Sequence, residues 1–163
     1  MGDTAYRYAQ AIERVARDAL SQLSGLSDEA LNQPASIPET NSLYALATHL
    51  AGAGAFWSVT LPAERPSNRD RTSEFIATGT FADLAARYDQ WLADLHAVLD
   101  PLPDNALSRV IETPVSRDWL PANQSLTVAD CVLHALEHSA LHLGHIQLTV
   151  QLIQSSIWTS PRA

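Results

Sequence analysis

The sequence predicts an all-α protein, a four-helix bundle of non-simple topology with two long connectors. Three observations carry that prediction. Four segments repeat apolar residues at three- and four-residue steps, helix-start signals precede two of them, and proline-bearing stretches without periodicity lie between. The 163 residues suit one domain, 1–163, and 46% hydrophobic residues supply its core.

The first helix is expected over about 3–23. Ile12, Val15, Ala19 and Leu23 share one face, Glu13 and Arg17 form an i,i+4 pair, and Gly25 serves as the C′ residue. The second is expected over about 41–60, with Leu46, His49 or Leu50, Ala53 and Trp57 in helical step. The third is expected over about 81–99, with Leu84, Tyr88, Trp91 and Leu95 in step. Thr80 and Asp83 make a capping box ahead of it, with Asp in place of the usual Glu. A second such box, Thr127 and Asp130, opens the fourth helix, expected over about 128–156. The connectors are 61–79, with Pro62, Pro66 and Gly79, and 100–126, with Pro101, Pro103, Pro114 and Pro121. Val110, Ile111 and Val115 allow a short extended piece in the second, although Pro114 opposes a central strand. Loops this long in a compact domain are usually functional or wrap the core.

Composition narrows the function. A net charge of −8 and a pI near 5.0 repel phosphate backbones, so nucleic acid is not expected as a partner. Charged residues reach only 17%, which points to extra buried surface such as a subunit interface. Cys131 is the only cysteine, which excludes an internal disulfide and a four-thiolate zinc site. No apolar run reads as a signal peptide or a membrane span, so a cytoplasmic protein without a membrane partner is expected.

The chemistry concentrates in "HALEHSALHLGH". His134, His138, His142 and His145 follow one another at steps of four, four and three. At about 100° per residue, with Cys131 as zero, they fall near 300°, 340°, 20° and 320°, an arc of about 80° with Cys131 included. Gln147, Gln151 and Gln154 occupy the opposite side, so the histidines face inward if the glutamines face water. Histidines at i and i+4 can chelate one cation. A single inward histidine reads as a satisfied core residue. Four in one stripe need partners that the stripe does not offer, which favours a metal.

Two related motifs fail. "HALEH" satisfies the inverted zinc-protease pattern, but no Asp or Glu follows Glu137 to serve as third ligand, and Glu137 lies about 100° round from His138. No Glu-x-x-His pair exists for a di-iron bundle. A third ligand must then come from another helix. His49, in the apolar "LYALATHLAGAGAFW", is the best candidate; His96, beside Asp94, reads as solvated.

"THLAGAGAFW" together with "HSALHLGHIQL" resembles the DinB/YfiT-like superfamily. The resemblance implies a bundle in up-down-down-up order and a metal triad of His49, His138 and His142, with Gly144 and Ile146 matching the tail of the motif. His145 stands where the family often has Gln. The family resemblance further implies a divalent metal, zinc or nickel, and a homodimer. It also implies thiol-dependent chemistry of S-transferase or isomerase type with bacillithiol, mycothiol or glutathione as a low-molecular-weight cosubstrate.

Three function classes stay open at this point. One is a metal-dependent enzyme that activates a thiol for a small-molecule substrate. The second is a non-catalytic metal-binding or stress-associated dimer, favoured by Leu143, Val150, Ile153 and Ile157, which widen the apolar surface of the last helix. The third is a hydrolase using metal-bound water. His134, Glu137 and His145 are candidate partners of the ligands or proton carriers. Cys131 is expected to be a buried inert thiol, and Trp57, Tyr88 and Trp91 to be core aromatics.

Overall fold

The computed structural model describes residues 2–34, 40–113 and 124–159, without the side chains of 156–159. Pro114, Val115, Pro121 and the side chain of Ile157 lie outside the described residues. Among the described residues six α-helices run in the order α1 (Asp3–Ser21), α2 (Asp28–Asn32), α3 (Leu43–Ala55), α4 (Arg71–Glu74), α5 (Phe81–Leu99) and α6 (Val128–Thr159). The four long ones form the expected bundle. Helices α1 and α3 each pack against both α5 and α6, so the first two long helices sit diagonally and the order round the bundle is not sequential.

Each long helix follows from its sequence, with local corrections. Helix α1 ends at Ser21, two residues short of expectation, and Gly25 (φ 79°) closes the turn beyond it rather than standing directly after the cap. Its buried stripe is Ala5, Ala9, Ile12, Ala16 and Ala19; the small residues let α5 and α6 come close. Both capping boxes form: Thr80 with Asp83, and Thr127 with Asp130, whose Oδ2 accepts from the Thr127 amide at 2.8 Å and hydroxyl at 2.6 Å.

The expected second helix is not α-helical throughout. It continues from α3 as a π turn over Phe56–Thr60. The Ser58 hydroxyl donates to the Gly54 carbonyl at 2.6 Å, and Trp91 Nε1 on α5 donates to Ser58 Oγ at 3.1 Å. Side-chain bonding to a helix carbonyl competes with the backbone ladder and distorts it. Gly54 makes the contact with α5 feasible, since a Cβ there would lie 2.1 Å from Trp91 Cζ2.

The connectors carry structure that periodicity does not signal. Helix α2 delivers Asn32, whose side chain bonds both the amide (2.9 Å) and the carbonyl (2.8 Å) of Gly79 and so pins the end of the first connector. Helix α4 lies inside that connector, capped by Asp70 through the amides of Thr72 and Ser73. In the second connector Asp104–Ser108 form a 3-10 turn, and Val110 bridges Thr127 antiparallel, the short extended piece the sequence allowed. Among the described residues no helix is long and apolar enough to cross a membrane.

Candidate metal centre

Helix α3 is buried on nearly every side, and His49 at its middle is only 4% exposed. A polar ring in that setting requires partners. Across from it, α6 turns its core stripe inward through Val132, Ala135, Ser139, Ile146 and Val150. On the same wheel these residues lie at about 40–100°, next to the histidine arc rather than within it. The histidines therefore flank the core. His134, His138 and His142 are half-buried, and His145 is exposed, so the stripe does not face inward as a whole. Gln147, Gln151 and Gln154 are exposed as expected.

Three of the rings converge. His49 lies 5.1 Å from His138 and 4.9 Å from His142 between centroids, and His138 lies 4.4 Å from His142. One nitrogen from each falls within 4.8 Å of the others. The Nδ1 atoms of His138 and His142 are buried without a hydrogen-bond partner. Two orphaned imidazole nitrogens beside a third ring are compatible with the donor set of a divalent-metal site. Three histidines with bonds of about 2.0–2.1 Å also leave a coordination position open for a reactant. Burial, together with the neighbouring rings, pushes His138 down to about 3 and His142 to about 4. Burial likewise lowers His49, against the opposing pull of Glu74. All three are thus neutral near pH 7, the form that ligates metal.

His49 has a second set of partners. Its Nδ1 bonds Glu74 Oε2 at 2.8 Å, and Glu74 is itself only 6% exposed. Arg69 meets both oxygens of that carboxylate, Nε to Oε1 and Nη2 to Oε2, each at 2.7 Å. Phe75, next in the chain, stacks on the His49 ring at 4.5 Å. A cavity of about 460 Å³ lies against this cluster; its lining includes Thr48, Phe56, Arg69, Glu74 and Arg87 but none of the three histidines.

The family model of the DinB superfamily matches residues 11–146, which include His49, His138 and His142. The chain belongs to the DinB superfamily. A solved structure described as a conserved protein of locus from Enterococcus faecalis has a similar fold, with a TM-score of 0.75 over 95% of this chain and 99% of that one. At 14% identity it shows the fold alone. No curated protein matches the sequence.

The remaining histidines of this DinB chain divide by position. His134 stands edge-on to Trp57, 4.6 Å between centroids, and 5.8 Å from His138. His145 is 5.3 Å from His142 on the exposed side. Glu137 is exposed and acts on His134 through its charge. His96 is not simply solvated: Glu13 holds its Nε2 at 2.9 Å and Asp100 its Nδ1 at 3.0 Å. Cys131 is fully buried, and burial raises its thiol to about 12, the inert state expected of it.

Sequence reasoning missed Glu74, Arg69 and Phe75. A signal existed. Glu64, Arg65, Arg69, Asp70, Arg71 and Glu74 crowd into one stretch of the first connector, in a chain only 17% charged.

Proposed function

We propose that the chain is a divalent-metal-dependent enzyme that holds zinc or nickel on His49, His138 and His142 and activates a small thiol for transfer or isomerisation of a small-molecule substrate. The observation that carries the reading is the convergence of three neutral imidazoles, two with buried and unpartnered Nδ1 atoms. Membership of the DinB superfamily supports it. A divalent ion with an open position supplies the Lewis acidity that makes thiolate or hydroxide near neutral pH. The chain's own residues do the rest: Glu74 orients His49, Phe75 shields its ring from water, and His134 and His145 stand on either side of the His138–His142 pair as proton carriers.

The same reading includes a cytoplasmic homodimer joined through α6. Leu143, Val150 and Ile153 pack against the chain's own core, whereas Leu141 (58%) and Leu148 (56%) are left exposed on that helix. Exposed leucines of this size favour a partner surface.

Elemental analysis of the purified protein beside His49→Ala and His138→Ala tests the site. Bound zinc or nickel lost in both variants is expected. A wild type free of metal after mild purification would sink the reading, and unchanged metal in His49→Ala would remove His49 from the triad. Turnover that needs bacillithiol, mycothiol or glutathione and disappears with chelator identifies the thiol enzyme. Turnover with water alone identifies a hydrolase, and no turnover leaves a metal-binding module. Light scattering of a Leu141→Glu, Leu148→Glu variant tests the dimer, with a monomer expected.

A further inference from the structure

We propose that Glu74, clasped by Arg69, is a positioning residue that fixes His49 in its Nδ1–H tautomer and ties docking of residues 69–75 to metal loading; this rests on the three-histidine reading of the site. Both oxygens of the carboxylate are engaged by Arg69, and a carboxylate only accepts hydrogen bonds. Arg69 Nη2 also lies 3.5 Å from His49 Nδ1, but it donates to Oε2 at the much shorter 2.7 Å, so the ring nitrogen 2.8 Å from Oε2 is the donor to the carboxylate and Nε2 of His49 keeps the free lone pair. A histidine ligand whose second nitrogen is held by a carboxylate has its tautomer and ring orientation set before the metal arrives.

Four further features serve the same contact. Gly52 stands three residues after His49 on α3, and a Cβ there would fall 2.1 Å from Glu74 Oε1; a bare backbone is what admits the carboxylate. Phe75 grips the face of the ring that Glu74 holds by its edge. The Asp70 cap builds the single helical turn of α4 on which Glu74 sits, and the Arg69 guanidinium also lies over Phe56, 5.7 Å from its centroid. A buried ion pair is a poor way to gain stability when apolar contact is available. Its placement against the one ligand contributed by α3 assigns it a use.

Because Glu74 belongs to a connector and not to the bundle, the effect runs both ways. If the docked segment tightens metal binding by some factor, metal tightens docking of the segment by the same factor.

Zinc titration of the full chain in wild type, Glu74→Ala, Glu74→Gln and Gly52→Ala tests this, with 15N NMR of His49 in metal-free protein and hydrogen exchange of residues 65–79 with and without zinc. Expected are an Nδ1–H tautomer in wild type and affinity lower by about 10–100-fold in Glu74→Ala and Gly52→Ala. Glu74→Gln, which keeps an acceptor oxygen, should fall between, and zinc should slow exchange over 69–75. An Nε2–H tautomer in wild type overturns the proposal. So does a Glu74→Ala affinity within about threefold of wild type while His138→Ala abolishes binding, or exchange over 69–75 that zinc leaves unchanged. A wild type that takes up no zinc defeats the site reading separately; the His49 tautomer, lost or kept in Glu74→Ala, then still decides the positioning role. If Glu74→Ala does not fold, Glu74→Gln carries the same comparison.

Discussion

His138 and His142 lie with ring centroids 4.4 Å apart, one turn from each other on α6, and the Nδ1 of each is buried without a partner. Both imidazoles are depressed well below the free value of about 6.5, to about 3 and about 4. Between those limits the unfolded chain binds more protons than the folded one. Their contribution is whole above pH about 6.5 and is lost as pH falls toward 4 and then 3, at up to about 1.4 kcal/mol per pH unit for each ring. Urea denaturation of metal-free protein from pH 7.5 to 3.5 should show this slope, and a His138→Gln, His142→Gln variant should flatten it. Equal slopes in the two proteins would show that these rings do not drive the acid response.

His96 works in the opposite sense. Burial alone would lower it, but the carboxylates of Asp100 and Glu13 outweigh burial and raise it. Its contribution is therefore whole below about pH 6.5 and is lost as pH rises through its raised folded value. Glu13, lowered chiefly by its hydrogen bond to His96, contributes fully above about pH 4.5 and loses that contribution as pH falls through its depressed value. The partly buried pair should make His96→Gln cost about 1 kcal/mol near pH 6 and distinctly less above pH 8. Thermal unfolding at the two pH values measures the difference, and a pH-independent loss would rule out the charge pairing.

The bundle was legible because long amphipathic segments average over many residues. Leu84, Tyr88, Trp91 and Leu95 repeat strongly enough that no local term can override them, and all four are buried. The π turn was not legible. Phe56–Thr60 continue the apolar pattern of α3, and the distortion comes from Ser58 and from Trp91, 33 residues further on. The same division holds at the site. The shared arc of His138 and His142 is a property of one helix and can be read from spacing. The carboxylate behind His49 arrives from a connector with no period, so only the fold reveals which acid it is.

Gly54 offers a direct probe of that distortion. An added methyl would meet the Trp91 ring at 2.1 Å, in a region where Trp91 is 2% exposed and has no room to retreat. Gly54→Ala should destabilise the protein by about 1–3 kcal/mol, through overpacking that outweighs the gain in helix propensity. For a chain of this size that is a fall in Tm of roughly 2–4 °C per kcal/mol, readable by calorimetry. A stabilised variant would mean that α3 and α5 are less closely packed than described.

Cys131 should resist alkylation. With no exposure and a thiol raised to about 12, it presents almost no thiolate at pH 8. Iodoacetamide should label it only after denaturant is added. Fast labelling of native protein would place the start of α6 in frequent contact with solvent.

The edge-on contact of Trp57 with His134, at 4.6 Å, gives the molecule an optical reporter of its own. Indole emission responds to the charge and orientation of a neighbouring imidazole, and His134 is in turn the neighbour of His138. Trp57 is 8% exposed, so bulk solvent contributes little to its signal. A change of charge or ligation among the histidines of α6 should therefore alter Trp57 emission at the π turn, over the steady signal of the chain's three other tryptophans.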